Sequence, residues 1–132
     1  MKSNEEQILD RLNDLGLNLI WDKYQYNRFD AENKSCIAEI KDRHSFYRST
    51  MIEFDKHSYN TLYSQYVNKR FMYAVRMKGF IYIFDITELN RQGYNYKWEW
   101  KTIEATTNFE NRDLVKKFVG YIELSKGYKI NA

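Results

Sequence analysis

The chain has 132 residues, 43% of them hydrophobic, which is enough to enclose one core and too little for two, so a single domain over residues 1–132 is expected. A formal charge of +3 tolerates a polyanionic partner without demanding one, and the lack of proline argues against disordered linkers or a second tethered domain. The lone Cys36 excludes an internal disulfide and a cysteine-based zinc site, and the longest apolar run, 80–84, is far too short to span a bilayer. The opening MKSNEEQ is polar and acidic, unlike a signal peptide, so a soluble intracellular protein with no membrane partner is expected. Twelve tyrosines, eight phenylalanines and three tryptophans place aromatic rings in the core and, for tyrosine, along wet grooves.

Residues 3–15 read as a helix. Ser3 and Glu6 form a capping box, Gly16 suits a left-handed C-terminal cap, and Ile8, Leu9, Leu12 and Leu15 make one apolar stripe. Glu5 lies on that stripe and faces the body of the protein. Residues 17–26 alternate as a strand that leads into a hairpin over 28–43, with a polar turn at 31–35. On the returning strand, 36–41, Cys36, Ala38 and Ile40 point one way and Ile37, Glu39 and Lys41 the other.

After the hairpin two readings are open, a capping box over 50–53 or a short edge strand over 51–54 with a helix starting at Asp55. Tyr59, Leu62, Tyr63 and Tyr66 recur at helical spacing, which predicts a helix over 56–68. Strands at 71–77 and 80–86 meet at a tight Lys78-Gly79 turn, and FIYIFDI, apolar on both faces, reads as a central strand. Residues 94–103 alternate as another strand. Beyond 108 the pattern weakens to a helical turn at 113–118, a strand at 119–124, and a turn into a short tail. The whole reads as an α/β fold with a central mixed sheet flanked by helices.

A helix bearing ExxILxxLxxLG, a strand ending in Asp30, a short turn, a strand carrying Glu39-Ile40-Lys41 and a following helix together resemble the core of the PD-(D/E)XK nuclease superfamily, in particular its small Holliday-junction-resolvase-like and phage-type members. The likeness covers residues 3–70, and Phe29 stands where the family has proline before the acid. It implies a restriction-endonuclease-like core, a phage or prokaryotic origin, a homodimer, and a fourth catalytic role for Glu5.

The residue types fit that chemistry directly. Phosphodiester cleavage needs an activated water and stabilisation of developing charge. Mg²⁺ or Mn²⁺ takes hard oxygen ligands, which Asp30, Glu39 and the Ile40 carbonyl supply, while Lys41, one pleat beyond Glu39, orients or deprotonates the water. The expected partner is nucleic acid, DNA in particular. Arg28, Lys34, Arg43 and Lys56 are the candidate contacts, joined by Lys23, Arg48, Lys69 and Arg70, and Tyr24, Tyr26, Tyr47, Tyr63 and Tyr66 are candidates for stacking on bases. His44 and His57 lack partners at metal-ligand spacing, and no nucleophile elbow, P-loop or dinucleotide fingerprint is present. The reading is a metal-dependent endodeoxyribonuclease acting on branched or duplex DNA. Its rivals are a non-catalytic binding module of the same fold, whose Asp30, Glu39 and Lys41 form a structural ion cluster, and a hydrolase of small phosphoesters.

Overall fold

The computed structural model of the chain describes residues 2–22, 28–44, 47–104 and 114–132. Along them run helices α1 (Asn4–Asn13), α2 (Phe54–Tyr66) and α3 (Ile86–Arg91). The strands are β1 (Ile20–Trp21), β2 (Ala31–Glu32), β3 (Cys36–Arg43), β4 (Ser49–Glu53), β5 (Arg70–Met77), β6 (Phe80–Asp85), β7 (Glu99–Glu104), β8 (Leu114–Glu123) and β9 (Tyr128–Asn131).

The larger sheet has the order β1-β2-β3-β5-β6-β9. Among the described residues only β3 and β5 pair in parallel, with Glu39 opposite Tyr73 and Lys41 opposite Val75, so the sheet is mixed. A parallel pair cannot be closed by a tight turn and needs a crossover, which β4 and α2 provide. The strand alternation decides what lies on each face. Cys36, Ala38 and Ile40 meet Ile8, Leu9 and Leu12 of α1. Ile37, Phe71, Tyr73 and Val75 face the opposite way, against Ile86 and Leu89 of α3 and Ile52 and Ile122. The β6 strand is apolar on both sides for this reason, with Ile81 in the first cluster and Tyr82 and Phe84 in the second.

Local signals account for most element ends. The Ser3 hydroxyl accepts from the Glu6 N–H at 3.2 Å, the predicted cap. Asn13 then ties down the chain after α1, its side chain donating to Leu19 O at 3.0 Å and accepting from Leu19 N at 2.7 Å. In the hairpin turn Asn33 Oδ1 accepts from Ser35 and Cys36 N–H groups at 2.7 and 2.8 Å. Ala31 and Glu32 already pair with β3, so the turn is shorter than the sequence pattern predicts.

Several expectations need correction. Of the strand expected over 17–26, the described part is Ile20–Trp21, and 23–27 lie outside the described residues. The edge-strand alternative holds with shifted bounds: the strand is Ser49–Glu53 instead of 51–54, and α2 starts at Phe54, one residue before the expected Asp55. Ile86 opens α3 instead of closing β6, because the Asp85 carboxylate accepts from Glu88 N–H at 3.1 Å and caps a helix. The run expected as one strand over 94–103 becomes strand only at Glu99. Lys97, at φ 55°, breaks the extended path and Trp98 packs inward against Phe54 and His57. In place of the helical turn expected at 113–118, β8 begins at Leu114, Asp113 lying outside the described residues. The tail is β9, an edge strand on β6.

The unforeseen element is a second, antiparallel sheet of order β4-β8-β7. Tyr73, fully buried on β5, fastens it to the first: its hydroxyl donates to Met51 O at 2.8 Å, beside Arg43 Nη2, which donates to the same oxygen at 3.1 Å. No described helix is long and apolar enough to cross a membrane.

Gly120 of β8 marks the closest approach inside this second sheet. A Cβ there would sit 2.8 Å from the Trp98 ring and from Tyr96 Cβ. Gly120→Ala is therefore expected to destabilise the fold by roughly 1–3 kcal/mol through overpacking, read as a lower midpoint in urea denaturation with an unchanged slope.

Candidate active site

The β2–β3 register sets Ala31 against Ala38, so one step outward Asp30 stands opposite Glu39. Main-chain bonds hold that end of the hairpin shut. Asp30 N–H donates to Ala38 O at 2.8 Å, and Ile40 N–H donates to Asp30 Oδ2 at 2.7 Å. The second bond turns the Ile40 main chain toward Asp30 and away from β5, on the side where β2 has ended. Glu39 and Lys41 share the face that looks toward α2. Because α2 starts directly after β4, Lys56 in its first turn reaches Glu39 Oε1 at 3.0 Å. From the second sheet, Lys117 pairs with Glu53 Oε1 at 2.7 Å.

Burial dominates the electrostatics. Glu39 is 2% exposed and its Oε2, fully buried, has no hydrogen-bond partner among the described residues. Desolvation, then the neighbouring Asp30 charge, push the Glu39 carboxyl up to about 7, against the opposing pull of Lys56 and Lys41. Asp30 is raised too, chiefly by burial, with the Ile40 N–H and both lysines opposing and Glu5 adding to the rise. Burial and the Lys56 charge lower the Lys41 ammonium. Burial also works against Lys56, but the charge and hydrogen bond of Glu39 outweigh it and raise that ammonium. Glu53 ends below its usual range, since its bond to Lys117 overcomes its own desolvation.

Of the residues singled out from the sequence, Asp30, Glu39, Lys41 and Lys56 are brought together. Glu5 sits on α1, over the other sheet face, and its charge is felt at Asp30 and Arg76. Arg28 lies 3.6 Å from Asp55 and over the Tyr59 ring. Arg43 continues the Glu39–Lys41 face but spends its guanidinium on Met51 O. Lys34 is in the turn at the far end of β3, roughly 17 Å from Glu39 at strand spacing. Lys69 and Arg70 are paired with Glu32 and Asp85. Tyr63 stacks on Phe29, whereas Tyr47 and Tyr66 are exposed. Lys23, Tyr24 and Tyr26 lie outside the described residues. Sequence reasoning missed Glu53 and Lys117. Glu53 had a signal, an acid ending a strand just before a helix, but Lys117 had none.

No family model and no curated protein sequence matches this chain. Among solved structures, Hjc, a Holliday junction resolvase from the archaeal hyperthermophile Archaeoglobus fulgidus, superposes with a TM-score of 0.57 at 16% identity, over 96% of this chain and 88% of that one. The likeness is one of fold. It shows the resolvase and restriction-endonuclease-like architecture that the hairpin and its flanking helices predict.

The divalent cation implied by that fold can be tested against the side chains present. Among the described residues no three Asp, Glu, His or Cys side chains gather closely enough to hold a metal by themselves. Mg²⁺, however, commonly takes only one or two carboxylates and fills its shell with water and substrate phosphate. Asp30 and Glu39 meet that requirement. They are adjacent acids that repel each other, and Glu39 keeps a buried, unpartnered oxygen. The residues fit a cation.

The protonation of Glu39 has a consequence for stability. Its carboxyl titrates near 4.5 in the unfolded chain and near 7 in the fold, so between those values the folded state holds a proton that the unfolded state has released. Stability from this group is complete below about 4.5 and is lost as pH rises through about 7, a change of about 3 kcal/mol. Asp30, also raised, acts in the same direction. In metal-free buffer, urea midpoints are expected to fall for the wild type between about pH 5 and about pH 8. The fall is smaller in Glu39→Gln, which cannot ionise.

Proposed function

We propose that this chain is a divalent-metal-dependent nuclease that hydrolyses phosphodiester bonds, a DNA endonuclease acting on branched or duplex substrates, with residues 1–132 working as one nuclease domain. The observation that carries this reading is the convergence of Asp30, Glu39 and Lys41 on one hairpin end in a resolvase-like fold. Asp30, Glu39 and the Ile40 carbonyl would hold Mg²⁺ or Mn²⁺. Such an ion, when bound, lowers the pKa of a coordinated water and neutralises charge on the phosphate.

The protein's own groups divide the remaining work. No described residue hydrogen-bonds the Lys41 ammonium, and its lowered pKa leaves it better able to exchange a proton with an attacking water than an ordinary lysine. Lys56 fixes Glu39 through one oxygen and leaves the other free. Both ammoniums stabilise charge that develops on the phosphoryl oxygens. Glu5, felt at Asp30, is the outermost member of the set. Arg28 beside Asp30 and Arg43 beyond Lys41 extend the cationic surface along which a DNA backbone would run. Lys34 would touch the same strand further away. Hjc is a resolvase of Holliday junctions, and a four-way substrate presents two opposed strands, so we assign the active form to a homodimer.

One observation favours a second reading. The Lys56–Glu39 bond at 3.0 Å is what a structural ion pair would show in a non-catalytic binding module of this fold. Thermal denaturation with Mn²⁺ separates the two readings. A native-state metal site adds about 2.7 kcal/mol at 100 times its dissociation constant, and Glu39→Ala removes that gain. An unchanged melting temperature at any Mn²⁺ concentration favours the module.

Cleavage of supercoiled plasmid and of a synthetic four-way junction tests the activity itself. Cutting with Mg²⁺ or Mn²⁺, its loss in EDTA, and a drop of at least about 100-fold in Lys41→Ala, of the order expected for removing a general acid or base, are the expected results. Full activity in both Glu39→Ala and Lys41→Ala would place the chemistry elsewhere. DNA affinity in EDTA should fall steeply with salt, because each phosphate neutralised releases counterions.

A further inference from the structure

Beyond Lys41 the β3 strand runs into a cavity of about 290 Å³ between the two sheets. Its cationic lining residues are Arg43 and Lys101, and among the described residues no carboxylate lines it. Neither cation forms an ion pair with a described residue. Arg43 Nε is buried with no hydrogen-bond partner, and so is the Oγ1 of Thr50, a residue only 2% exposed that also lines the cavity. A buried donor left unpaired is costly. Arg43 keeps its Nη2 on Met51 O, and with the exposed Lys101 it gives the cavity a net positive lining that favours an anion.

The rest of the lining is aromatic and thioether. Tyr47, 63% exposed, and Tyr121, its ring 5.7 Å from Lys101 Nζ, line it together with Met51 and Met77. Such walls accept a planar, polarisable group by stacking and sulfur contact. The volume lies at the lower end of the range for small-molecule sites and admits one such group.

The cavity's position ties it to the cluster at Glu39. Arg43 is two residues past Lys41 on the same strand face, about 7 Å away. A base that enters a cavity walled by both sheets cannot stay stacked in a duplex, and leaving the stack is least costly where the base is already unpaired.

We propose, resting on the nuclease reading, that this cavity takes one unpaired nucleotide of the DNA strand next to the phosphate to be cut, its base between Tyr47 and Met77 and its phosphate on Arg43 and Lys101. The substrate class is then DNA with an unpaired nucleotide at a branch or bulge.

The four methionines provide a test independent of cleavage. In protein labelled with ¹³C at the methionine methyls and kept in EDTA, Met51 and Met77 report on this cavity, and Met72, which lines a separate cavity, is the control. The probes are deoxyadenosine monophosphate, deoxyadenosine, a fully paired duplex, and the same duplex with a one-nucleotide bulge. The nucleotide and the bulged duplex should shift Met51 and Met77 saturably and leave Met72 in place. The nucleoside and Lys101→Gln should each weaken nucleotide binding at least about tenfold, the scale of one lost charged contact.

A response to the free nucleotide alone would make this a mononucleotide site and overturn the proposal, as would equal shifts from paired and bulged duplexes or no shift at Met51 and Met77. If the duplexes bind and those methyls stay still, the subsite fails while the nuclease reading stands on the plasmid assay. If plasmid cutting fails but the bulged DNA still shifts both methyls, the subsite belongs to a binding module.

Discussion

The parallel pairing of β3 with β5 is the constraint from which the rest of the architecture follows. Two parallel neighbours must be joined by a crossover, and here that crossover carries β4 and α2 over the face of β3 that bears Glu39 and Lys41. Had β3 and β5 formed a hairpin, no element would be obliged to cover those charged side chains. The crossover desolvates Glu39 and, in the same stroke, supplies the Lys56 cation that keeps it within hydrogen-bonding reach. β4 also forms one edge of the second sheet, so the same link brings Lys117 to Glu53.

Such an arrangement works against maximal stability. Replacing a buried ion pair by packed apolar side chains is often neutral or stabilising, and two adjacent acids in a desolvated corner are worse than one. The geometry at Asp30 and Glu39 therefore has the character of a site held at the expense of the fold. The compensations are visible nearby: a main-chain N–H aimed at Asp30, two lysines converging on Glu39, and a fully buried Tyr73 locking β4 onto β5. Removal of one lysine would leave the acids more protonated, so the lysines set the charge state of the acids.

The sequence made the first seventy residues readable because their signals are local. Capping at Ser3, the Asn33 turn and the alternation from Cys36 to Lys41 each depend on neighbours within a few positions, and each appears in the fold. The convergence of Asp30, Glu39 and Lys41 was legible for the same reason, since hairpin register alone places them. Lys56 was legible as a cation on the next helix but its bond to Glu39 was not, because that depends on how the crossover lands. The C-terminal half failed where long-range pairing outweighs pattern. A run of Tyr94, Tyr96, Trp98 and Trp100 looks like one strand face, yet a single left-handed residue at Lys97 redirects it, and β8 gains its extended form only by lying between β4 and β7. Lys117 could not be found by inspection because its partner lies 64 residues earlier. α3 was a true oversight: Asp85 followed three residues later by Glu88 is a capping signal in plain view.

The second sheet changes what the first one can do. A bare hairpin end with two acids and a lysine would be open to water on the side beyond Arg43, and a substrate strand there would meet only solvent. With β4, β8 and β7 standing beside it, the strand face that begins at Glu39 continues past Lys41 and Arg43 into a partly open cavity lined by Arg43 and Lys101. Tyr73 and Arg43 meet on the same carbonyl of Met51, so the wall of that space and the strand carrying Lys41 are joined by hydrogen bonds rather than by apolar contact alone. Directional bonds fix distance and angle where packing tolerates sliding, so a group seated in the cavity would stand at a set distance from Lys41. On the proposed reading, that coupling would let the geometry of the two sheets set the distance between the cavity and Lys41.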